Sequence, residues 1–141
     1  MDTTHPYIRP GWFMTRVANP INRRLGLFPT LTVRGRRSGR RVTVPLGEPL
    51  QFEGRRYLVS GRGNTHWVRN LRAAGAGEMR IHRHSELFLA REIEGEERVR
   101  VVRAYRERHG HSVDRYFAEI PDEADHPVFE IDPVPTGAPV A

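Results

Sequence analysis

Residues 35–45, GRRSGRRVTVP, place four arginines, a serine and two glycines between two stretches of alternating apolar and polar residues. Alternation with a period of two on both sides predicts two β-strands, over residues 31–34 and 42–46. Ser38 and Gly39 accept the backbone angles of a tight turn, so the segment between the strands predicts a hairpin tip. Its guanidinium groups, hydroxyl and free N–H groups suit a phosphate or a carboxylate, and a solvated arginine-rich loop is the alternative.

Charge is distributed unevenly along the 141 residues of the chain. Residues 1–75 contain fourteen arginines and three acids, a net charge of +11, whereas residues 76–141 carry −5. The asymmetry indicates that the first half meets an anionic partner, and nucleic acid, an anionic membrane and a polyanionic small molecule all qualify. All 23 basic residues are arginine, which binds phosphate and carboxylate through two parallel hydrogen bonds.

Several classes of protein and site are excluded by composition. The chain has no cysteine, which rules out disulfides, thiolate catalysis and cysteine-based metal sites. It has no apolar run long enough for a transmembrane helix and no signal-peptide pattern at its start, so we expect a cytoplasmic protein. The histidine pairs His82/His84 and His109/His111 lack a third ligand at a suitable spacing, and we expect no metal site.

The remaining pattern predicts about six short antiparallel strands with helices between and after them. We expect helices over residues 66–74, with Thr65 as N-cap, over 96–109 and over 113–120. The predicted fold class is mainly β with peripheral helices (α+β), a small antiparallel barrel. Residues 1–132 are expected to form one domain and residues 133–141 a flexible, proline-rich tail. An amphipathic segment over 11–25 is interpreted as a packed helix, with a lid or a weak membrane-surface contact as alternatives.

A second candidate site lies at the start of the predicted helix 66–74. A glycine-rich loop precedes this helix, and free N–H groups at a helix N-terminus favour anions. Trp67 and Asn70 are three residues apart and share a face, so Trp67 could stack on a flat ring while Asn70 bonds nearby. A core tryptophan and a capping asparagine are the alternative. Tyr105 and Tyr116 are candidate proton donors, and core packing is their alternative interpretation.

Three strings, LTVRGRRSGRRVTVPL (31–46), YLVSGRGNTHWVRNLRAAG (57–75) and HPVFEI (126–131), together resemble the deazaflavin-dependent nitroreductase family of actinobacteria. Their order and spacing, over roughly residues 12–131, carry the resemblance. It implies a split β-barrel related to flavin mononucleotide-binding oxidoreductases. It also implies coenzyme F-420, an 8-hydroxy-5-deazaflavin with a phosphate and an oligoglutamate tail.

The resemblance assigns three segments to the coenzyme. The hairpin would hold the phosphate and tail, the Val-Pro-Leu after it would lie along the deazaflavin ring, and the glycine-rich loop with the Trp-x-x-Asn helix would complete the pocket. The matching residues are Arg36, Arg37, Ser38, Gly39, Arg41, Val44, Pro45, Leu46, Ser60, Arg62, Gly63, Trp67 and Asn70.

The implied reaction is hydride transfer from the reduced coenzyme to a small activated acceptor of quinone, nitroaromatic or enone type. Water, Tyr116, Tyr105 or His66 could supply the proton that the reduced acceptor needs. A flavin mononucleotide-dependent enzyme of the same fold and a coenzyme-binding protein without turnover remain as alternatives, with a basic nucleic-acid-binding module as a remote one. The oligomeric state, monomer or homodimer, stays open.

Overall fold

The computed structural model describes residues 28–134. The predicted segment 11–25 and most of the predicted tail 133–141 lie outside the described residues, so neither expectation is tested. The strands are β1 (Thr30–Arg34), β2 (Arg41–Pro45), β3 (Leu50–Phe52), β4 (Arg55–Val59), β5 (Ala76–Ile81), β6 (His84–Ile93) and β7 (Val128–Pro133). The α-helices are α1 (His66–Ala74), α2 (Gly95–His109) and α3 (Asp114–Glu119), with short 3-10 turns at Gly110–Val113 and Glu123–Asp125.

The seven strands form one antiparallel sheet in the order β2-β1-β5-β6-β7-β4-β3. The predicted class, a split-barrel-like antiparallel sheet with helices, is confirmed, but the predicted count of six strands is wrong. The missed strand is β3, whose three residues are too few to show a period-two pattern. It pairs with β4 across Glu53 and Gly54, which both have positive φ, as the two-residue turn of a hairpin requires.

Two apolar cores lie on opposite faces of the sheet, because neighbouring residues of a strand point to opposite sides. In β4, Leu58 packs into the first core, and Tyr57 and Val59 pack into the second. The first core joins the sheet to Trp67, Val68 and Leu71 of α1. The second joins it to α2, α3 and the turn between them, through Val101, Val102, Val113 and Phe117.

The predicted helix 66–74 is confirmed as α1, although its N-cap differs in detail from the expectation. Thr65 has extended backbone angles, yet its side chain makes no capping hydrogen bond. Gly75 ends the helix with φ of 71°.

β7 runs to Pro133, one residue into the predicted tail. Within residues 28–134, no helix has the length and apolar character needed to cross a bilayer.

Candidate functional site

The predicted hairpin tip forms between β1 and β2, which pair from Thr30↔Pro45 to Arg34↔Arg41. Gly35 N–H donates to the Arg40 carbonyl at 2.7 Å, and Gly39 N–H donates back to the Gly35 carbonyl at 3.0 Å. The Ser38 hydroxyl accepts from Arg40 N–H at 3.1 Å, which tightens the loop from inside. Gly39 has φ of 73°, a conformation that other residues rarely adopt. The tip is therefore closed by its own backbone and serine.

The arginines of the tip differ in their surroundings. Arg37 and Arg40 are exposed, and within residues 28–134 neither side chain forms an ion pair. Arg41 is paired with Glu78 of β5, with Nη2 2.5 Å from the carboxylate oxygen. Arg36 turns inward instead, to the first turns of α1. The tip thus presents two guanidinium groups without an ion-pair partner among residues 28–134, and a third, that of Arg41, is 73% exposed but paired with Glu78.

Arg36 joins the hairpin to α1 through three contacts. Its backbone N–H and its Nη1 both donate to the Oδ1 of Asn70, at 3.1 Å and 2.7 Å. Its Nη2 lies 3.3 Å from His66 Nδ1. Guanidinium has no acceptor atom, so Nδ1 must be the unprotonated ring nitrogen in this contact. The structure therefore brings Arg36 together with His66 and Asn70, which follow it by 30 and 34 residues in the sequence.

The loop between β4 and α1 carries the next group of predicted residues. The Ser60 hydroxyl donates to the Gly63 carbonyl at 2.5 Å, so it is used within the loop. Gly63 has φ of 84°. Arg62 is half-buried, and burial lowers the pKa of its guanidinium, with the nearby Tyr116 acting in the opposite direction. The loop thus holds a partly desolvated cation just before the start of α1.

Two tyrosines from the second core close over this loop at Gly61. A β-carbon at position 61 would lie 2.8 Å from Tyr116 Cδ2 and 3.0 Å from the Tyr105 hydroxyl. Burial, with Tyr116 as a smaller cause, raises the pKa of Tyr105 to about 12. Tyr105 therefore keeps its proton at neutral pH, and its hydroxyl is able to donate a hydrogen bond.

The predicted ring-contacting residues are found at different depths. Val44, Pro45 and Leu46 are half-buried, and Val44 and Leu46 pack against the first core. Trp67 is only 4% exposed and lies 6.2 Å from Phe129, ring centre to ring centre. The core placement that was the alternative for Trp67 is thus what the structure shows, and its contact with the coenzyme stays a prediction.

Sequence reasoning missed His126, which is fully buried between the ends of β4 and α3. Its Nδ1 lies 3.1 Å from the Ser60 carbonyl and its Nε2 lies 2.7 Å from the Ile120 carbonyl. Phe117 stacks on its ring at 4.2 Å. The only signal was its place in the string HPVFEI at the start of the last strand. His126 fixes α3, and therefore Tyr116, relative to the loop that begins at Ser60.

Solved structures with the same fold include two that are 25% identical to this chain. One is described as an F420-H2 dependent reductase, with TM-score 0.54 and coverage of 74% of this chain and 93% of that one. The other is described as a domain-swapped dimer, with TM-score 0.55 and coverage of 74% and 79%. A conserved hypothetical protein of Mycobacterium tuberculosis shares the fold at 14% identity, with TM-score 0.52 and coverage of 77% and 73%.

A search among curated proteins found none that matches this sequence significantly. The sequence model of one family, described as F420H(2)-dependent quinone reductase, matches residues 10–119, which is most of the chain. That match confirms the family resemblance expected from the hairpin and helix motifs. The chain therefore belongs to the F420H(2)-dependent quinone reductase family, and it is an oxidoreductase whose cofactor is coenzyme F-420.

Proposed function

We propose that the protein transfers hydride from reduced F-420 to a small activated acceptor of quinone, nitroaromatic or enone type. The main support is the pair of hydrogen bonds from Arg36 to Asn70 of α1, which hold the hairpin in place. Arg37 and Arg40 of the same hairpin remain exposed. The description of the family points to quinones among these acceptors. The bound coenzyme would supply the hydride, and the residues of the chain would bind, orient and exclude water.

The hairpin has the donor set that a phosphate with a carboxylate-rich tail requires. Arg37 and Arg40 offer planar guanidinium forks, and no carboxylate within residues 28–134 competes for them. Each charge-assisted hydrogen bond is worth about 1.5–3 kcal/mol. Arg41 is already paired with Glu78, so we expect it to contribute less to coenzyme affinity than Arg37.

We assign the two tyrosines at Gly61, which close over the loop before α1, to the acceptor side of the proposed site. When an acceptor receives hydride, negative charge develops on its oxygen, and a positioned donor stabilises that charge. Tyr105 keeps its proton because burial raises its pKa to about 12. Its hydroxyl would therefore donate a hydrogen bond to the acceptor, and solvent would complete the proton transfer. His66 is a poorer candidate because its Nδ1 faces Arg36.

Homodimer formation is part of the proposal, since one similar structure is described as a domain-swapped dimer. Light scattering of the purified chain tests this point. A mass near 16.2 kDa would contradict it, and twice that value would support it.

The test of the site is a titration of the purified protein with F-420, with flavin mononucleotide in parallel. We compare Arg37→Ala with Arg83→Ala, which removes the same charge from another exposed position. The register of β1 with β5 places the turn containing Arg83 beyond the end of the sheet opposite the hairpin tip. We expect Arg37→Ala to weaken F-420 binding at least tenfold and Arg83→Ala to change it less than twofold.

Turnover separates a reductase from a protein that only binds the coenzyme. Oxidation of reduced F-420 is followed with a quinone, a nitroaromatic and an enone as acceptors. In the binding titration, equal losses of F-420 affinity in Arg37→Ala and Arg83→Ala would contradict the assignment of the anion site. Binding without oxidation by any acceptor would contradict the proposed acceptor classes.

A further inference from the structure

We propose that Asn70 is a positioning residue, which acts on the coenzyme through Arg36 and not by touching the coenzyme itself. The inference deepens the proposed function of the hairpin and rests on it. It differs from the expectation drawn from the sequence, in which Asn70 lines the pocket beside a stacked tryptophan.

The hydrogen-bonding capacity of the Asn70 oxygen is already used. A carboxamide oxygen has two lone pairs, and here both accept from Arg36, one from the backbone N–H and one from Nη1. Asn70 is also 5% exposed, within a helix that packs on the first core. Its oxygen therefore has no remaining lone pair to offer to a ligand.

Two bonds to one residue fix more than a single bond would. The bond to the N–H of Arg36 sets the course of the backbone as it leaves β1, and the bond to Nη1 sets the direction of the guanidinium. His66, one turn before Asn70 on the same face of α1, contacts the same guanidinium through Nδ1. Arg36 is thus held from two positions on one rigid helix.

The constraint on Arg36 extends to the exposed arginines because the tip is tightly folded. A β-carbon at Gly35 would lie 3.0 Å from the Ser38 hydroxyl and 3.3 Å from the Arg40 carbonyl. The bond from Gly35 N–H to the Arg40 carbonyl closes the same loop. When Asn70 fixes Arg36, it therefore also reduces the motion of Arg37 and Arg40, which lowers the entropy cost of binding an anion there.

The test is a comparison of two ligands, F-420 and the deazaflavin riboside that lacks the phosphate and tail. We expect Asn70→Ala to weaken F-420 binding about tenfold and to change riboside binding less than twofold. Val68→Ala is the matched control, since it shortens a fully buried side chain on the same helix and leaves Asn70 in place. Val68→Ala should lower the melting temperature, but it should not weaken the binding of F-420 more than the binding of the riboside. Equal losses for both ligands in Asn70→Ala would overturn the inference.

A double-mutant cycle tests whether Asn70 acts through Arg36. In an Arg36→Ala background, the loss of F-420 affinity caused by Asn70→Ala should fall from about tenfold to less than threefold, because the guanidinium that Asn70 orients is absent. The bond from the backbone N–H of residue 36 to Asn70 survives in Arg36→Ala, so the cycle isolates the guanidinium. An undiminished tenfold loss would show that Asn70 does not act through the Arg36 guanidinium, and would overturn that step of the inference.

A measurement without ligand separates this inference from the proposed function. The amide of Arg36 is bonded to Asn70, so its hydrogen exchange should accelerate at least tenfold in Asn70→Ala and remain slow in Val68→Ala. If the native protein failed to bind F-420, the proposed function would fall, and the exchange rate would still decide whether Asn70 holds the hairpin. Unchanged exchange at Arg36 would overturn the positioning role.

Discussion

Gly61→Ala is the substitution for which the structure makes the sharpest prediction. Gly61 is not among the glycines with positive φ, so its backbone suits alanine and the added methyl group is the only change. That methyl would lie 2.8 Å from Tyr116 Cδ2, closer than real β-carbons approach other atoms, and at a tight 3.0 Å from the Tyr105 hydroxyl. Overpacking of this kind costs about 1–3 kcal/mol. For a domain of this size we expect the melting temperature to fall by roughly 4 °C per kcal/mol.

The activity of Gly61→Ala should fall by more than its loss of stability explains, because the added methyl displaces the two tyrosines that we propose to face the acceptor. A misplacement of about 1 Å can cost up to about 10²-fold, and we expect at least a tenfold loss in kcat/KM for the acceptor. Gly77→Ala is the control: its methyl would lie 2.9 Å from Phe88 Cζ, in the first core. It should lower the melting temperature similarly and leave acceptor kcat/KM within about threefold.

A second background tests whether the clash itself is responsible. Tyr116→Ala removes the atom nearest to the added methyl, so Gly61→Ala should cost at least 1 kcal/mol less in that background, a coupling of about the size found between touching residues. Native-like melting of Gly61→Ala would refute the packing argument. A loss of kcat/KM no larger than that of Gly77→Ala would refute the placement of the tyrosines near the acceptor.

Three further predictions concern titration and charge. Burial raises the pKa of the Tyr105 hydroxyl to about 12. In an alkaline absorbance titration, Tyr105→Phe should therefore lack the phenolate transition near pH 12. Loss of a transition near pH 10 instead would contradict the prediction. Burial, with a nearby arginine as a smaller cause, lowers the pKa of His109 in the folded state. The free energy of unfolding should therefore decline as pH falls through about 6.5 towards that lower pKa. The decline should be smaller in His109→Gln. Urea unfolding of both proteins at several pH values measures the difference. Arg41→Ala should weaken F-420 binding less than Arg37→Ala, because Arg41 is paired with Glu78. Titration of both variants with F-420 checks this, and equal losses of affinity would contradict it.

The elements that sequence predicted well are those with a long local signal. Alternation around the hairpin gave β1 and β2, and glycine at position 75 with the apolar spacing of residues 67, 68 and 71 gave α1 with its observed bounds. The family resemblance rested on the same two elements and is confirmed. β3 was missed because three residues carry no period, and its strand character comes from pairing with β4.

The partners of individual side chains were not predictable from spacing. Asn70 and Trp67 share a face of α1 by sequence, yet the oxygen of Asn70 meets Arg36 while Trp67 enters the first core. Helical spacing fixes which residues are neighbours on a helix, but the packing of the helix on the sheet decides what they meet. The closure of Tyr105 and Tyr116 over Gly61 likewise joins elements about 45 to 55 residues apart, which no local pattern reveals.

Arginine density alone does not distinguish the proposed anion site from other surfaces of the protein. In the acidic second half, arginines are numerous but meet carboxylates: Arg91 contacts Glu130 at 2.5 Å, and Arg103 contacts Glu123 at 2.9 Å. An ion pair of this kind cancels most of the field that would attract an anion. Arg37 and Arg40 have no such partner within residues 28–134, and they stand on a tip that α1 holds in place. The proposed anion site is therefore distinguished by cations without an ion-pair partner on a rigid support, a property of the folded chain that a count of charges along the sequence only approximates.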